Sequence, residues 1–221
     1  MDQEIKNSYS KLTKLNVSRE TFLDFDNYIS MILQKNQKIN IISNKNTNKK
    51  DIIERHFVDS AQIIDIVDFN CKTITDIGSG GGMPGIIIAI MLKNLKKDIK
   101  VKLYEKSYHK SHFLKDVSAK LNLKTEIMQK NIFEEKKIET GTIMSRAFKP
   151  MPIILDLVNE NFSSFSNIIF FMGKSGRDVL KNTLKDWELE YSEKKSLTSE
   201  DSFLINVKKI KRKNKNYIKK N

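Results

Sequence analysis

Cysteine and histidine are scarce in this chain. Its 221 residues include one cysteine, Cys71, and three histidines, His56, His109 and His112. One cysteine excludes an internal disulfide, and these histidines do not have the spacing of a metal site. We therefore expect a protein of a reducing compartment that binds no metal ion.

Long apolar segments are also missing. No stretch of the sequence approaches the roughly 20 apolar residues that a membrane-spanning helix needs. The first ten residues carry charge where a secretory signal would have an apolar core. We therefore expect a cytoplasmic protein without a membrane partner.

Acidic residues are too few to balance the basic ones. The chain has 40 Lys and Arg against 27 Asp and Glu, which leaves a formal net charge of +13. This surplus favours a polyanionic partner, because cationic side chains replace the counterions condensed on phosphates. Codon bias would explain the abundance of Lys, Asn and Ile equally well. Composition by itself leaves both explanations open.

The hydrophobic pattern before residue 71 is helical. Apolar residues at three- and four-residue steps predict a helix over 18–36, with Ser18 as its N-cap, and a second helix over 51–67. A polar, turn-rich segment at 40–48 separates them. These helices are expected to form an N-terminal layer.

From Lys72 onwards, short β-prone runs alternate with helical stretches. Strands are predicted at 73–77, 99–105, 125–129, 141–145, 167–172 and 203–210, and helices at 84–95, 109–121, 151–161 and 176–184. This alternation predicts an α/β fold in which helices flank a mostly parallel sheet.

The chain is expected to have three parts. Residues 1–70 would form an N-terminal helical extension, 71–210 the α/β domain, and 211–221 a basic C-terminal tail. The tail has no hydrophobic pattern, so we expect it to be solvated, with contact to RNA as the alternative.

A glycine-rich loop follows the first predicted strand of the α/β domain. Gly78, Gly80 and Gly82 come directly after 73–77, and an apolar helix begins just beyond them. Glycines suit a loop that turns sharply and lies against a ligand, since no Cβ atom intervenes. The order of strand, loop and helix predicts a nucleotide-type cofactor site.

The glycine spacing fits two classes of cofactor. The run from Gly80 to Gly85 also matches the dinucleotide fingerprint, and Glu105, after the next strand, could hold ribose hydroxyls in either class. Pro84 lacks the N–H that a pyrophosphate would need at the start of the helix. Asp76 would repel phosphate but attract the cationic groups of S-adenosylmethionine. These neighbours favour S-adenosylmethionine over NAD, and the alternative is that Asp76 only caps the loop.

Four motifs occur in an order and spacing typical of one family. They are Glu54-Arg55-His56-Phe57-Val58-Asp59-Ser60, Asp76-Ile77-Gly78-Ser79-Gly80-Gly81-Gly82-Met83-Pro84-Gly85, His109-Lys110-Ser111-His112-Phe113-Leu114 and Ser145-Arg146-Ala147-Phe148. With them the chain resembles, from about Asn40 to Lys208, the glucose-inhibited division protein B family of bacterial 16S ribosomal RNA guanine-N7 methyltransferases. The resemblance implies a class I methyltransferase domain with a Rossmann-like sheet and an N-terminal helical extension. It also implies methyl transfer from S-adenosylmethionine to N7 of a specific guanine in 16S ribosomal RNA.

The resemblance further implies which residues contact the methyl donor. The implied contacts are Gly78, Met83, Ile132, Phe133 and Arg146. Glu105 would bind the ribose hydroxyls. Ile132 and Phe133 follow the third strand, where backbone groups and apolar side chains would hold the adenine ring.

Two pairs of residues stand four apart on the predicted second helix. Arg55 and Asp59 share one helix face, and His56 and Ser60 share another. One interpretation is an intrahelical ion pair and a core histidine. The resemblance supports the other interpretation, in which Arg55 and His56 contact RNA, and both remain open.

Two basic residues are the predicted catalytic residues. Arg146 and Lys174 follow the fourth and fifth strands, and we expect them at the pocket or facing RNA. Guanine N7 has an in-plane lone pair, so it can attack the sulfonium methyl without losing a proton, and positioning becomes the main catalytic device. The expected partner is 16S ribosomal RNA or the small subunit, bound by a monomer. The alternatives are a methyltransferase with a different RNA, a protein or a small molecule as acceptor, and a noncatalytic RNA-binding relative.

Overall fold

The computed structural model describes residues 17–43 and 48–214. The charged N-terminus, part of the predicted turn at 40–48, and residues 215–221 of the predicted tail lie outside the described residues. In the part that is described, no helix combines the length and apolar character needed to cross a membrane.

Helices and strands alternate along most of the described chain. The helices are α1 (Arg19–Asn36), α2 (Lys49–Ile52), α3 (Asp59–Ala61), α4 (Gly85–Asn94), α5 (Tyr108–Lys120), α6 (Met151–Asn161) and α7 (Gly176–Asp186). A π-helical turn, Ile53–Val58, joins α2 to α3, and 3-10 turns cover Ile64–Ile66 and Ile132–Glu134. The strands are β1 (Thr73–Ile77), β2 (Lys100–Tyr104), β3 (Thr125–Met128), β4 (Ile138–Glu139), β5 (Thr142–Ser145), β6 (Phe162–Ser164), β7 (Asn167–Met172), β8 (Trp187–Lys195) and β9 (Phe203–Arg212).

The main sheet has the strand order β3-β2-β1-β5-β7-β9-β8. Its strands β3, β2, β1, β5 and β7 are parallel, whereas β9 pairs antiparallel with β7 and with β8. The α/β fold with a mostly parallel sheet is therefore confirmed. The chain reverses its direction of travel across the sheet between β1 and β5, and ligands of open α/β sheets bind at the carboxyl ends of strands beside such a point.

The N-terminal helices share one hydrophobic core with the sheet. Tyr28 of α1 stacks against Phe57 of the π-helical turn, with 5.3 Å between ring centroids, and lies 6.3 Å from Phe113 of α5. Its buried ring belongs to the same cluster as the apolar residues of α4. The hydroxyl of Tyr28 also donates a hydrogen bond to the carbonyl of Gly81, so the N-terminal layer contacts the glycine-rich loop.

The start of α1 matches the sequence prediction, whereas the second helix differs from it. Ser18 caps α1 by accepting a hydrogen bond from the backbone N–H of Thr21. The helix predicted over 51–67 ends at Ala61, and a separate 3-10 turn follows. Apolar spacing continues past Ala61, but the chain there already turns towards β1, so the prediction beyond this residue is wrong.

The last strands are longer and more numerous than predicted. The sequence does not predict strand β8, because Trp187 is its one buried residue and charged residues alternate along it. Strand β9 continues to Arg212, two residues into the segment predicted as tail. A strand at the edge of a sheet exposes one face and one edge to water, so its hydrophobic pattern is weak and does not predict it well from the sequence.

Candidate functional site

The glycine-rich loop connects β1 to α4 at the carboxyl edge of the sheet. The backbone N–H groups of Gly78 and Ser79 both donate to the carbonyl of Tyr104 at 3.0 Å, which ties the loop to the end of β2. Gly78 has a φ of 70°, and a Cβ added there would lie 2.2 Å from Cδ2 of Phe148. A side chain at this position would therefore be both strained and blocked.

Glu105 braces the same loop from the end of β2. Its Oε2 accepts a hydrogen bond from the N–H of Gly80 at 2.9 Å, and its Oε1 accepts one from the N–H of Ser107 at 2.7 Å. Two backbone N–H groups thus hold in place the carboxylate of Glu105, the residue predicted to bind the ribose hydroxyls. Lone pairs remain on both oxygens for a further hydroxyl.

A pocket of about 270 Å³ lies between this loop and the segments after β2, β3 and β5. It is lined by Gly78, Gly80, Tyr104, Glu105, Lys106, Lys110, Lys130, Asn131, Ile132, Ala147 and Phe148. We call it the donor pocket. Four of the predicted donor-binding residues line it, namely Gly78, Gly80, Glu105 and Ile132.

Apolar residues form one side of the donor pocket. Ile132 is buried at the start of a 3-10 turn that Asn131 caps, and Phe133 is 36% exposed beside it. The rings of Phe133 and Phe148 lie 6.2 Å apart between centroids. Ile132 and Phe148 line the pocket and Phe133 lies beside it, and such apolar side chains suit a flat, apolar ring.

Asp76 lies behind the loop and does not line the donor pocket. The carboxyl is buried, and its Oδ2 accepts a hydrogen bond from the N–H of Gly85 at the start of α4, at 3.0 Å. Its Oδ1 is buried without a hydrogen-bond partner among the described residues. Burial raises the pKa of Asp76 to about 7, and hydrogen bonds from Ser79 and Gly85 oppose the rise. The capping role that the sequence left as an alternative is therefore present.

Gly82 and Met83 are also set back from the pocket wall. Met83 is 8% exposed and packs into the core. Gly82 has a φ of 96°, and a Cβ there would lie 2.6 Å from the Tyr28 hydroxyl. In this structure both residues pack the inner side of the loop.

The Arg146 side chain turns away from the donor pocket towards the N-terminal layer. Its Nη2 donates to the carbonyl of Arg55 at 2.7 Å and lies 3.1 Å from Nδ1 of His56. Its Nη1 donates to Oγ of Ser60 at 3.3 Å, and its Nε lies 3.2 Å from Oδ2 of Asp59. Burial lowers the pKa of Arg146, and Asp59 opposes the change. Arg146 thus connects the end of β5 to the helix of residues 49–61.

His56 is held against Arg146 rather than presented to solvent. Because an Arg nitrogen can only donate, Nδ1 of His56 must be the acceptor and Nε2 carries the proton. That Nε2 is buried and has no hydrogen-bond partner in the described part of the chain. Burial, with help from Arg146 and Arg55, lowers the pKa of His56 to about 4. The ring is therefore neutral near pH 7.

The other basic residues predicted from sequence are exposed. The side chain of Arg55 is 63% exposed, with its Nε 4.0 Å from a carboxylate oxygen of Asp51. Asp59 forms an ion pair with Arg146. Lys174 lies exposed in the turn after β7 and does not line the donor pocket.

Sequence reasoning missed several residues of the donor pocket. Ala147 has a φ of 50°, and the ring of Phe148 covers Gly78. Both belong to the motif that carried the resemblance, so the motif could have drawn attention to them, whereas the backbone conformation could not be read from it. Within residues 17–43 and 48–214, no group of three or more His, Cys, Asp or Glu could hold a metal ion.

Known proteins match this chain over nearly all of its length. The model of a family described as GidB, rRNA small subunit methyltransferase G, matches residues 22–205. The ribosomal RNA small subunit methyltransferase G of Pelagibacter ubique (strain HTCC1062) is 60% identical over 212 residues, which cover 96% of this chain and 100% of that protein. The protein of the same name from Bartonella tribocorum is 31% identical, over 96% of this chain and 99% of its own length.

Solved structures share the fold at low sequence identity. A mutant of MtNAS in complex with S-adenosylmethionine has a TM-score of 0.55 and 12% identity, covering 85% of this chain and 75% of that one. A SAM dependent methyltransferase from Aquifex aeolicus has a TM-score of 0.53 and 12% identity, covering 74% of this chain and 95% of that one. These likenesses show the class I methyltransferase fold.

Proposed function

The chain belongs to the rRNA small subunit methyltransferase G family, and from that premise we propose how its donor pocket works. The protein is an S-adenosylmethionine-dependent methyltransferase of 16S ribosomal RNA. Its acceptor atom is N7 of a guanine. The observation that carries this function is the family match over 22–205, which contains the whole donor pocket at the carboxyl ends of β1 and β2.

The donor pocket fits the parts of S-adenosylmethionine. The carboxylate of Glu105 accepts hydrogen bonds from the ribose hydroxyls, and Ile132 and Phe133 hold the adenine ring. Gly78 and Gly80 leave space for the methionine portion, because no side chain projects from the loop there. These roles are supported by the positions of the four residues that line the pocket and of Phe133 beside them.

The buried residues behind the loop support the donor indirectly. Asp76 acts on the cationic end of the donor by its charge from behind the loop, where Gly85 uses Oδ2 and Oδ1 has no hydrogen-bond partner among the described residues. Gly82 and Met83 keep the loop packed against the core, and the backbone of Arg146 continues into the pocket wall at Ala147. An anion beside the donor is favourable because the donor carries an ammonium and a sulfonium.

Methyl transfer needs no proton to leave the acceptor. The N7 lone pair forms a bond to the methyl carbon while the carbon–sulfur bond breaks, and sulfur keeps that electron pair. The positive charge passes from sulfur to the purine, so the products are S-adenosylhomocysteine and a cationic N7-methylguanine. The protein contributes mainly by holding N7 in line with the methyl group at a separation of about 3–3.5 Å.

Basic residues hold the RNA beside the donor pocket. Arg55 and Lys174 are exposed and can contact phosphates as cations. Arg146 is the proposed catalytic-site residue that joins the sheet to the N-terminal layer and so positions the pocket wall at Ala147. His56 holds the Arg146 guanidinium by a hydrogen bond. The net charge of +13 agrees with a polyanionic acceptor.

We also propose the roles of the three parts of the chain, the oligomeric state and the location of the protein. Residues 1–70 act as a helical extension to the catalytic domain of 71–210, and 211–221 as a basic tail. The protein works as a monomer in the cytoplasm, where small subunits are found. Nothing in the transfer chemistry calls for a metal ion, because neither the donor nor N7 needs further activation.

Transfer of labelled methyl groups tests the function directly. Radiolabelled S-adenosylmethionine is incubated with the protein and with small subunits that lack the modification, and the ribosomal RNA is digested to nucleosides. Label in N7-methylguanosine is the expected result. If calorimetry detects donor binding but no label enters RNA, ribosomal RNA is not the acceptor and the protein methylates another substrate. Absence of both would favour a noncatalytic RNA-binding relative.

A further inference from the structure

A second pocket, of about 230 Å³, lies on the other side of the segment that follows β5. Ala147 lines both this pocket and the donor pocket. Arg146 lines only the second pocket, and Phe148 only the first. The two cavities are therefore neighbours that share Ala147 in their walls.

The second pocket has a single carboxylate in its wall. Oδ1 of Asp59 accepts hydrogen bonds from Gln62 at 2.8 Å and from the Thr198 hydroxyl at 3.2 Å. Its Oδ2 lies 3.2 Å from Nε of Arg146, and the Asp59 side chain is 16% exposed. Each carboxylate oxygen has two lone pairs, so Oδ2 keeps one for a ligand in the pocket.

Flat apolar faces complete the wall. Phe171 of β7 and Phe203 of β9 line the pocket beside the hydroxyl-bearing Ser202. Aromatic side chains favour stacking of a nucleic-acid base, whereas a hydroxyl can donate or accept at the base edge. The lining therefore combines two aromatic rings, one anion and the guanidinium of Arg146, which lies 5.8 Å from the centroid of the Phe171 ring; the guanidinium of Arg177 lies 3.9 Å from that of Phe203.

The charge in this pocket is balanced before any ligand arrives. Arg146 directs its guanidinium to Asp59, Ser60, His56 and the carbonyl of Arg55, all on the N-terminal layer. A base that becomes cationic in the reaction consequently meets a paired arginine and a carboxylate. Such an arrangement opposes the developing charge less than a free cation would.

We propose that the second pocket receives the acceptor guanine, turned out of its RNA strand, and that Asp59 recognises the guanine by its 2-amino group, which donates to the remaining lone pair of Oδ2. The inference rests on the proposed function, since it names the acceptor subsite for the same reaction. The 2-amino group of guanine is a donor on the Watson–Crick edge and complements the one lone pair that Oδ2 keeps. Adenine and hypoxanthine have no 2-amino group and would leave this lone pair without a donor. Enzymes that modify a base commonly extrude it and recognise that edge.

Binding of nucleoside monophosphates tests the pocket without requiring catalysis. The donor pocket is first filled with S-adenosylhomocysteine, so that adenine cannot bind there. The dissociation constants of GMP, IMP and AMP are then measured by titration; IMP differs from GMP only by the missing 2-amino group. We expect GMP to bind roughly 10- to 100-fold more tightly than IMP, the range for a hydrogen bond to a charged group. AMP should bind no better than IMP.

Two aspartate variants test whether Asp59 causes the preference for GMP over IMP. Asp59→Asn keeps the size of the side chain but removes its charge and should bring the GMP and IMP constants to within about twofold. Asp65→Asn is the matched control, because Asp65 is an exposed carboxylate of the N-terminal layer paired with Lys194 outside the pocket. It should keep the preference of the parent protein.

Three results would overturn the proposal. They are equal affinity of the parent for GMP and IMP, a preference that survives in Asp59→Asn, and a preference that disappears in Asp65→Asn as well. If Asp59→Asn fails to fold, the comparison of GMP with IMP on the parent still decides. The methyl-transfer assay distinguishes failure of the proposed function from failure of the pocket assignment. No label in RNA together with an intact preference for GMP would reject the function. Label in RNA without that preference would reject the assignment of the second pocket.

Discussion

The carboxylate of Glu105 accepts a hydrogen bond from the backbone N–H of Gly80, with 2.9 Å between oxygen and nitrogen. The two residues come from different strand ends, so this contact links the glycine-rich loop after β1 to the segment after β2. The same carboxylate is the proposed ligand of the donor ribose. Order in the loop and affinity for the donor are therefore expected to change together.

Glu105→Ala should lower donor affinity by about 10- to 100-fold, because it removes hydrogen bonds to a charged acceptor. Glu105→Gln should have a smaller effect, since its amide oxygen can still accept one backbone hydrogen bond. Calorimetric titration with S-adenosylmethionine measures both. Glu126→Ala, on β3 and paired with Lys100, is the control and should bind like the parent. Equal affinities for all four proteins would contradict the role of Glu105.

Alanine at Gly78 and alanine at Gly80 should have different consequences. At Gly78 the added Cβ would lie 2.2 Å from the ring of Phe148, so we expect loss of donor binding and a lower free energy of unfolding. At Gly80 the nearest protein atom is a carbonyl oxygen at 3.9 Å, so the free energy of unfolding should fall only by the backbone strain, about 1 kcal/mol, although the Cβ would enter the space proposed for the donor. Urea unfolding and donor titration of both variants check this. Similar free energies of unfolding for the two variants would show that the Phe148 ring moves aside without a cost in stability.

Donor affinity should rise with pH around neutrality. The pKa of Asp76 is raised to about 7, so much of this carboxyl is protonated near pH 7 before binding. A cationic donor favours the ionised form, so binding at lower pH must release a proton, and affinity increases from about pH 6 to about pH 8. Calorimetry in buffers of different ionisation enthalpy counts that proton. In Asp76→Asn the proton release should vanish; its persistence would assign the proton to another group.

Acid should destabilise the protein through His56. Its pKa falls from 6.5 to about 4 on folding, so the unfolded chain binds the proton more tightly. The stability that a neutral His56 contributes is present above pH 6.5 and is lost as the pH falls through 4, with an upper limit of about 3 kcal/mol. Urea unfolding of His56→Gln should show a flatter pH dependence over this window. The exposed His109, changed to Gln, is the control; a parent-like slope in His56→Gln would refute the assignment.

Removal of the Arg146 guanidinium should unfold part of the protein more easily. Arg146→Ala leaves the Asp59 carboxylate, which is 16% exposed, without its cation, so we expect the free energy of unfolding to fall by about 3 kcal/mol, the lower end for a buried pair. Arg177→Ala, which removes an exposed partner of Glu193, should cost much less. Denaturant titration compares the two. Equal losses would mean that the burial of Arg146 has no energetic consequence.

Local features of the sequence determined the class of fold and the position of the glycine-rich loop beside Glu105. The alternation of β-prone and helical runs predicts the parallel sheet, since hydrophobic period depends on residues only a few positions apart. The glycines after β1 and the acidic residue after β2 come from neighbouring units of that pattern. Their meeting at one sheet edge follows from parallel topology, so the sequence by itself predicts that Gly78, Gly80 and Glu105 lie close together, as they do.

Tertiary structure alone decided which charges meet and which face water. Arg146 contacts Ser60, 86 positions earlier in the chain, and no local period encodes such a pairing. Asp59, expected beside Arg55 from helical spacing, turns instead to Arg146 and into the second pocket. Long-range ion pairs form where packing excludes water, and burial depends on every element of the fold at once. For that reason the sequence could name Arg146 as a site residue, whereas only the packed structure showed that its side chain joins the N-terminal helices to the sheet.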